Sequence, residues 1–298
     1  MALRLEPHET LSAGIDRVTR EEIQRARGSL LGAADPEAGV LEARKSLKKV
    51  RAVLRLSRAS LGKHRFRVEN RRYRDLARRL ADQRVGAVRI AALNALAAEL
   101  DGQAPKRLLR ASRRRLVPLR RRHDDAVIRA EVAAALETTL PGITKRSSRQ
   151  GFGGIRPGLL RTYRRGREGL REAIERPTPA AFHEWRKRVK DLWYQMRLLA
   201  PACPVVLEPL ADEIHRLSRD LGEAHDLDHL ESALELEAST DPFFDPEALL
   251  VALRDARAMR RAAAIDLGSR LYAEAPKAFV ARLESYWLAW RKTEPAVG

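Results

Sequence analysis

The feature that most constrains the fold is one helical pattern written twice at a fixed spacing. In the first copy the apolar positions are Val40, Ala43, Leu47, Val50 and Leu54; in the second they are Phe182, Trp185, Val189, Leu192, Met196 and Leu199. Returns every three or four residues lay each set along one stripe of an amphipathic helix. Beside the first stripe run Arg44, Lys45, Lys48, Arg51 and Arg55, and beside the second run His183, Arg186, Lys187, Lys190 and Arg197. Other landmarks keep nearly the same offset: Leu76 and Leu80 match Leu217 and Leu221, and Pro105, Leu108 and Leu109 match Pro246, Leu249 and Leu250. Independent chance matches do not share one spacing, so the chain reads as a duplicated unit. That predicts two similar helical bundles related by a pseudo-twofold axis, with their cationic ridges turned toward a central groove or pore.

Helical periodicity runs almost throughout, with no sustained alternation of the strand type, so the fold class is all-α. Asp35-Pro36 and Thr178-Pro179 each pair an N-cap residue with proline at the first helical position, and each introduces a basic stripe. Further breaks are expected at Gly62, between Asp101 and Pro105, from Pro201 to Pro204, and from Asp241 to Pro246, giving helices about 15 to 30 residues long. Residues 141–154 read as a Gly- and Ser-rich linker. They divide a first repeat, residues 1–140, from a second, residues 155–298.

The formal charge of +18 is unevenly placed: residues 1–150 hold 35 Lys and Arg against 17 Asp and Glu, while the remainder holds 23 of each. A surplus of this size attracts a polyanion, with an attraction that weakens as salt rises. Cys203 is the only cysteine, which excludes an internal disulfide and a cysteine-rich zinc site. No stretch approaches the roughly 18 to 20 apolar residues of a membrane span, and the first residues lack a secretory pattern. A reducing, cytoplasmic setting is expected, with no membrane partner.

A row of cations suits a linear string of phosphates, which offers charge and oxygen acceptors but no base edges. Residues a heptad apart on a helix repeat every 10 Å or so, letting Lys48 and Arg55, or Lys190 and Arg197, touch successive parts of one extended chain. Arginine presents forked donors to phosphate and lysine a mobile point charge. Arg110, Arg113, Arg114, Arg115, Arg120, Arg121 and Arg122 form a second basic set, and Arg161, Arg164, Arg165 and Arg171 a third; Arg257, Arg260 and Arg261 are weaker additions. The competing reading of each is a solvated helix face. His183 fits a phosphate contact when protonated, a donor when neutral, or a packed polar residue. His225 and His229 stand one helical turn apart, a spacing that suits metal ligands or arises by coincidence, while Asp226 and Asp228 suit the holding of basic side chains.

Trp185, Trp193, Trp287 and Trp290 read as packing residues. With aromatics only 5% of the chain, base-stacking recognition of single strands is disfavoured. No P-loop, hydrolase-type metal cluster or activated nucleophile is present in the sequence, so neither catalysis nor a cofactor is expected.

Residues 160–167, LRTYRRGR, followed by 182–194, FHEWRKRVKDLWY, resemble the conserved histidine α-helical domain (CHAD) family, and 221–228, LGEAHDLD, is similar to that family's later motif. The resemblance implies helical bundles around a basic groove or pore that binds inorganic polyphosphate, with association to polyphosphate granules. Together with the stripes it marks Arg44, Lys45, Lys48, Arg51, Arg55, Arg113, Arg114, Arg120, Arg121, Arg161, Arg164, His183, Arg186, Lys187, Lys190, Arg197 and Arg260 as binding residues. Three positions depart from the family pattern: Leu41 stands where a histidine is expected, the segment around Val85 lacks the later motif's acids, and His225 replaces an arginine. A triphosphate-tunnel enzyme, often joined to this family, needs Glu-x-Glu-x-Lys; Glu235-Leu236-Glu237 continues with Ala238-Ser239. Sequence-independent DNA or RNA binding is the alternative, since the same phosphate contacts serve both ligands.

Overall fold

The structure, a computed structural model, describes residues 3–81, 85–100, 105–116, 122–138 and 151–293. Among the described residues there are twelve α-helices and no strand. They are α1 (Leu11–Gly32), α2 (Pro36–Leu56), α3 (Arg58–Leu61), α4 (Lys63–Arg79), α5 (Val85–Glu99), α6 (Lys106–Leu116), α7 (Arg122–Glu137), α8 (Arg156–Glu175), α9 (Pro179–Leu199), α10 (Pro204–Thr240), α11 (Glu247–Leu271) and α12 (Pro276–Thr293). The two basic stripes are α2 and α9.

Both stripe helices start as their capping residues dictate. Asp35 accepts from the Glu37 amide at 2.9 Å and Thr178 from the Ala181 amide at 3.2 Å, each satisfying one of the orphan N–H groups of a first turn. Gly62, at φ +78°, supplies the left-handed backbone between α3 and α4. Asp241 and Asp245 accept from the Phe243 and Glu247 amides in the turn before α11.

Helix lengths depart from the sequence expectation in α10, which runs 37 residues without a break. Pro209 and Gly222 lie inside it without ending it. Leu217, Leu221, Ala224, Leu227 and Leu230 also keep returning to buried positions, so continuing the helix buries more than ending it. The counterpart stretch of the first half is divided between α4 and α5. Of the expected linker, residues 141–150 lie outside the described residues. Gly151–Gly154 forms a 3₁₀ turn in which Phe152 is buried, its ring 6.2 Å from that of Trp287.

Three apolar clusters hold the helices. The largest joins Val53 and Leu56 of α2, Tyr163 of α8, Trp185, Val189 and Leu192 of α9, Leu217 of α10 and Phe279 of α12. A second packs Ile23, Leu47, Leu54, Tyr73 and Leu136 from α1, α2, α4 and α7. The third sets Leu93 and Leu116 of α5 and α6 against Leu230, Leu234, Leu249 and Leu253 of α10 and α11. Each such side chain contributes about 1.5–3 kcal/mol on leaving water. Trp185, fully buried, is the packing residue its register predicts.

Gly158 positions the site. An added Cβ there would stand 1.9 Å from the Leu56 carbonyl oxygen, so only glycine lets α8 seat against the end of α2. Because α9 packs on both α8 and α2, this close approach fixes where the two stripes meet.

Candidate functional site

Helices α2 and α9 are in direct contact. The buried Gln195 side chain donates to the Ala52 carbonyl at 3.2 Å, capping a backbone acceptor of one stripe with an amide of the other. Nearby, Arg55 Nη1 lies 2.9 Å from Asp191 Oδ1, and Arg188 Nη1 lies 3.2 Å from Asp191 Oδ2. One carboxylate, only 7% exposed, thus ties a cation of the first stripe to a cation of the second.

Around this anchor the cations crowd one another. Lys190 is pushed down to about 8, first by burial and then by Arg186, Lys45 and Arg44, with Asp226 offsetting only part of the effect. Arg44 and Lys45 come from α2 and Arg186 from α9, so the ammonium sits among charges of both stripes. Arg186 is itself held below the usual arginine range by burial, and its guanidinium lies where a side chain at position 222 would be, Gly222 leaving the room. Arg51 falls to about 10 through burial and the neighbouring Arg55, with Arg74 and Arg188 adding to the repulsion and Asp191 opposing it. Arg188 is lowered by burial, with Arg55 and Arg165 as its cationic neighbours. Arg58 is lowered by burial and by Arg161, Arg67 and Arg165. The Arg51 and Arg55 group and the Arg58 and Arg161 group share neighbours through Arg188 and Arg165 across α2, α3, α4, α8 and α9, while the Lys190 group is a separate cluster contributed by α2 and α9.

Other expected residues fall in various places. Lys45 pairs with Glu42 at 2.7 Å and Lys187 with Glu184 at 2.5 Å, the same local pair in both stripes. Lys48 is half-buried on α2, and Arg197 is exposed on α9, close enough to contribute to the lowering of His215. Arg161 and Arg164 are exposed on α8. Arg113 donates to Asn94 Oδ1 at 2.6 and 3.0 Å, and both it and the exposed Arg114 belong to α6, which packs on α5 and α10. Arg260 is held by Glu99 and by Glu223, so two carboxylates offset its charge. Arg120 and Arg121 lie outside the described residues. The cavity lined by Arg216, Asp220, Ala263 and Leu267, between α10 and α11, contains none of the expected residues.

His183 packs against His225 with the rings tilted by 31° and their centroids 4.2 Å apart, and its Nδ1 is buried without a hydrogen-bond partner. Burial, Lys187 and Arg186 push His183 down to about 4, so the ring is neutral at pH 7 and the protonated form is not the resting one. Asp228 receives Arg257 at 3.1 Å and Arg261 at 2.8 Å, the holding role its position suggested.

Sequence reasoning missed Asp191, Arg188, Arg58, Arg67 and Arg74. Asp191 occupies the position equivalent to Lys49, and Arg188 that equivalent to Ser46. The charge mismatch between otherwise matching stripes was the available signal, because an acid standing where the other stripe has a lysine needs a local reason.

The sequence profile of the CHAD domain matches residues 17–235, most of the chain. The chain belongs to the CHAD domain family. Both stripes and the Asp191 anchor lie within the matched part of this CHAD domain, which begins in α1 and ends in α10. Helices α11 and α12 follow it, yet their Leu267, Phe279 and Trp287 complete the largest core. No curated protein matches the chain. Among the described residues of the CHAD domain and its extension, no helix is long and apolar enough to cross a membrane, and no three His, Cys, Asp or Glu side chains are grouped to hold a metal.

Proposed function

We propose that this CHAD domain binds inorganic polyphosphate without transforming it, along a basic track contributed by both halves of the chain. The observation that carries the reading is the half-buried Lys190 among Arg44, Lys45 and Arg186. Like charges gathered and partly desolvated cost free energy in the empty protein, and an anion laid among them relieves that cost. A linear polyphosphate meets the demand because each phosphate brings charge and acceptor oxygens at short intervals. Releasing its condensed counterions adds affinity, as it does for nucleic acids.

In this reading the two stripes are halves of a pseudo-symmetric groove or pore. Arg51, Arg55, Arg188 and Asp191 form its floor, Lys48, Arg161, Arg164, Lys187 and Arg197 line its approaches, and Arg113 and Arg114 act as outlying attraction. Arg260, neutralised by its carboxylates, contributes least. A binding module of this kind would sit in the cytoplasm on polyphosphate granules.

The test is competition. With fluorescently labelled DNA bound to the purified protein, long-chain polyphosphate should displace it at far lower phosphate concentration than unlabelled DNA does. Equal displacement per phosphate would favour the nucleic-acid reading instead.

A further inference from the structure

Where α9 packs on α10, two rings lie flat on each other. Trp193 and His215 have ring centroids 4.0 Å apart and planes inclined by only 4°. Trp193 is half-buried against the largest core, and the buried Tyr194 ring lies 4.6 Å from it, so the pair is backed from within. His215 is exposed. Since Trp193 covers one of its faces, what His215 offers to solvent is the opposite face and the ring edge. Burial lowers His215, with Lys190 and Arg219 next in effect, Asp212 opposing and Arg197 adding to the repulsion; the imidazole is therefore neutral at pH 7 and lies among three cations. Arg219 is largely exposed and reaches Glu223 only at 4.0 Å, whereas the neighbouring Arg216 is held by Glu213 at 2.6 Å.

We infer that the Trp193–His215 pair is a base-stacking shelf and that its ligand is a nucleoside 5′-polyphosphate, the base lying on His215 and the phosphates on Lys190, Arg197 and Arg219. Inorganic polyphosphate has no planar group and gains nothing from such a shelf. A purine or pyrimidine gains stacking, which is sequence-tolerant because every base has a π-face. One shelf serves one base, so the scarcity of aromatics that disfavours recognition of a strand does not count against a nucleotide. A ring already fixed by its neighbours binds without the ordering cost of a free side chain. The inference rests on the reading of Lys190 and Arg197 as phosphate-binding cations and adds a base site beside them.

Calorimetry in the presence of a chelator compares ATP with inorganic tripolyphosphate, which carries the same three phosphates, at least as much charge and no base. Charge alone therefore gives ATP no advantage. ATP should bind about ten-fold more tightly, within the range expected for stacking of one base. His215→Leu keeps Trp193 covered but removes the flat ring; it should abolish the preference for ATP and leave tripolyphosphate affinity unchanged, while His215→Phe should retain the preference. Circular dichroism of each variant confirms that α10 is folded. Equal affinity of the parent for ATP and tripolyphosphate, or a folded His215→Leu variant that keeps the preference, overturns the inference and leaves the polyphosphate reading standing. Failure of ATP to bind a protein that takes up long-chain polyphosphate does the same, and failure of all three ligands to bind overturns both.

Discussion

The guanidinium of Arg55 and the carboxylate of Asp191, 136 positions apart in the chain, meet at 2.9 Å where α2 packs on α9. Asp191 also holds Arg188, so a single acid keeps two crowded cations tolerable at the junction of the stripes. Replacing Asp191 with Ala leaves both unpaired, and breaking a buried pair costs about 3 kcal/mol or more. Urea unfolding of Asp191→Ala should show a lower midpoint with an unchanged slope. A double replacement, Arg55→Ala with Asp191→Ala, should cost less than the sum of the single effects, because the second loss removes a charge already stranded by the first.

Lys190 makes ligand binding pH-dependent. In the free protein its charged form is disfavoured, with a value of about 8 against an ordinary 10.5, so a fraction of Lys190 is neutral above pH 8. A bound polyanion stabilises the ammonium and raises that value, so binding takes up a proton and affinity falls as pH rises through 8. For folding the sign is the reverse of a stabilising pair: the native state holds fewer protons than the unfolded chain between about 8 and 10.5, and Lys190 favours unfolding less as pH climbs through that window. Calorimetry of polyphosphate binding at pH 8 in buffers of different ionisation enthalpy should show proton uptake. Lys190→Arg should keep the affinity and lose most of the uptake.

Salt should reveal how many cations participate. In the nucleic-acid analogy the logarithm of affinity falls against the logarithm of salt concentration by about 0.7–0.9 per phosphate neutralised. Lys48→Ala should flatten that slope by about one contact, and Arg260→Ala, which removes a cation already paired with Glu99 and Glu223, should leave it unchanged. Titrations at several salt concentrations give the slopes directly.

Gly158→Ala tests whether the seating of α8 on α2 supports the track. The new methyl group would collide with the Leu56 carbonyl, a backbone atom that cannot rotate aside. Overpacking of this kind costs about 1–3 kcal/mol, and the shift of α8 carries Arg161 and Arg165 away from Arg58. Thermal unfolding should show the loss of stability, and polyphosphate affinity should fall along with it.

Much of this was legible in residue order alone. The stripe periodicity located α2 and α9 to within a turn, and Asp35-Pro36 and Thr178-Pro179 fixed where they begin, because capping and proline effects are local. Trp185 was legible as core for the same reason: its register is a property of one helix. Arg55 was legible as a cation of the first stripe but its partner was not, since Asp191 approaches it only through tertiary packing of helices separated by more than a hundred residues. The uninterrupted α10 was hidden because burial of Leu217 to Leu230, a property of the assembled core, outweighs the local tendency to break. Neutral His183 was likewise unreadable, as desolvation depends on what surrounds the ring.

The central claim is that cations of both stripes bind one polyphosphate chain together. Calorimetric titration with polyphosphates of graded length, comparing the parent protein with the Lys48→Glu, Lys190→Glu, Arg197→Glu triple variant, tests it most directly. Affinity per chain should rise with length until the track is filled and then level off, and the triple variant should lose measurable binding while its helical circular-dichroism spectrum is preserved. Length-independent affinity, or a folded triple variant that binds as tightly as the parent, would contradict the account.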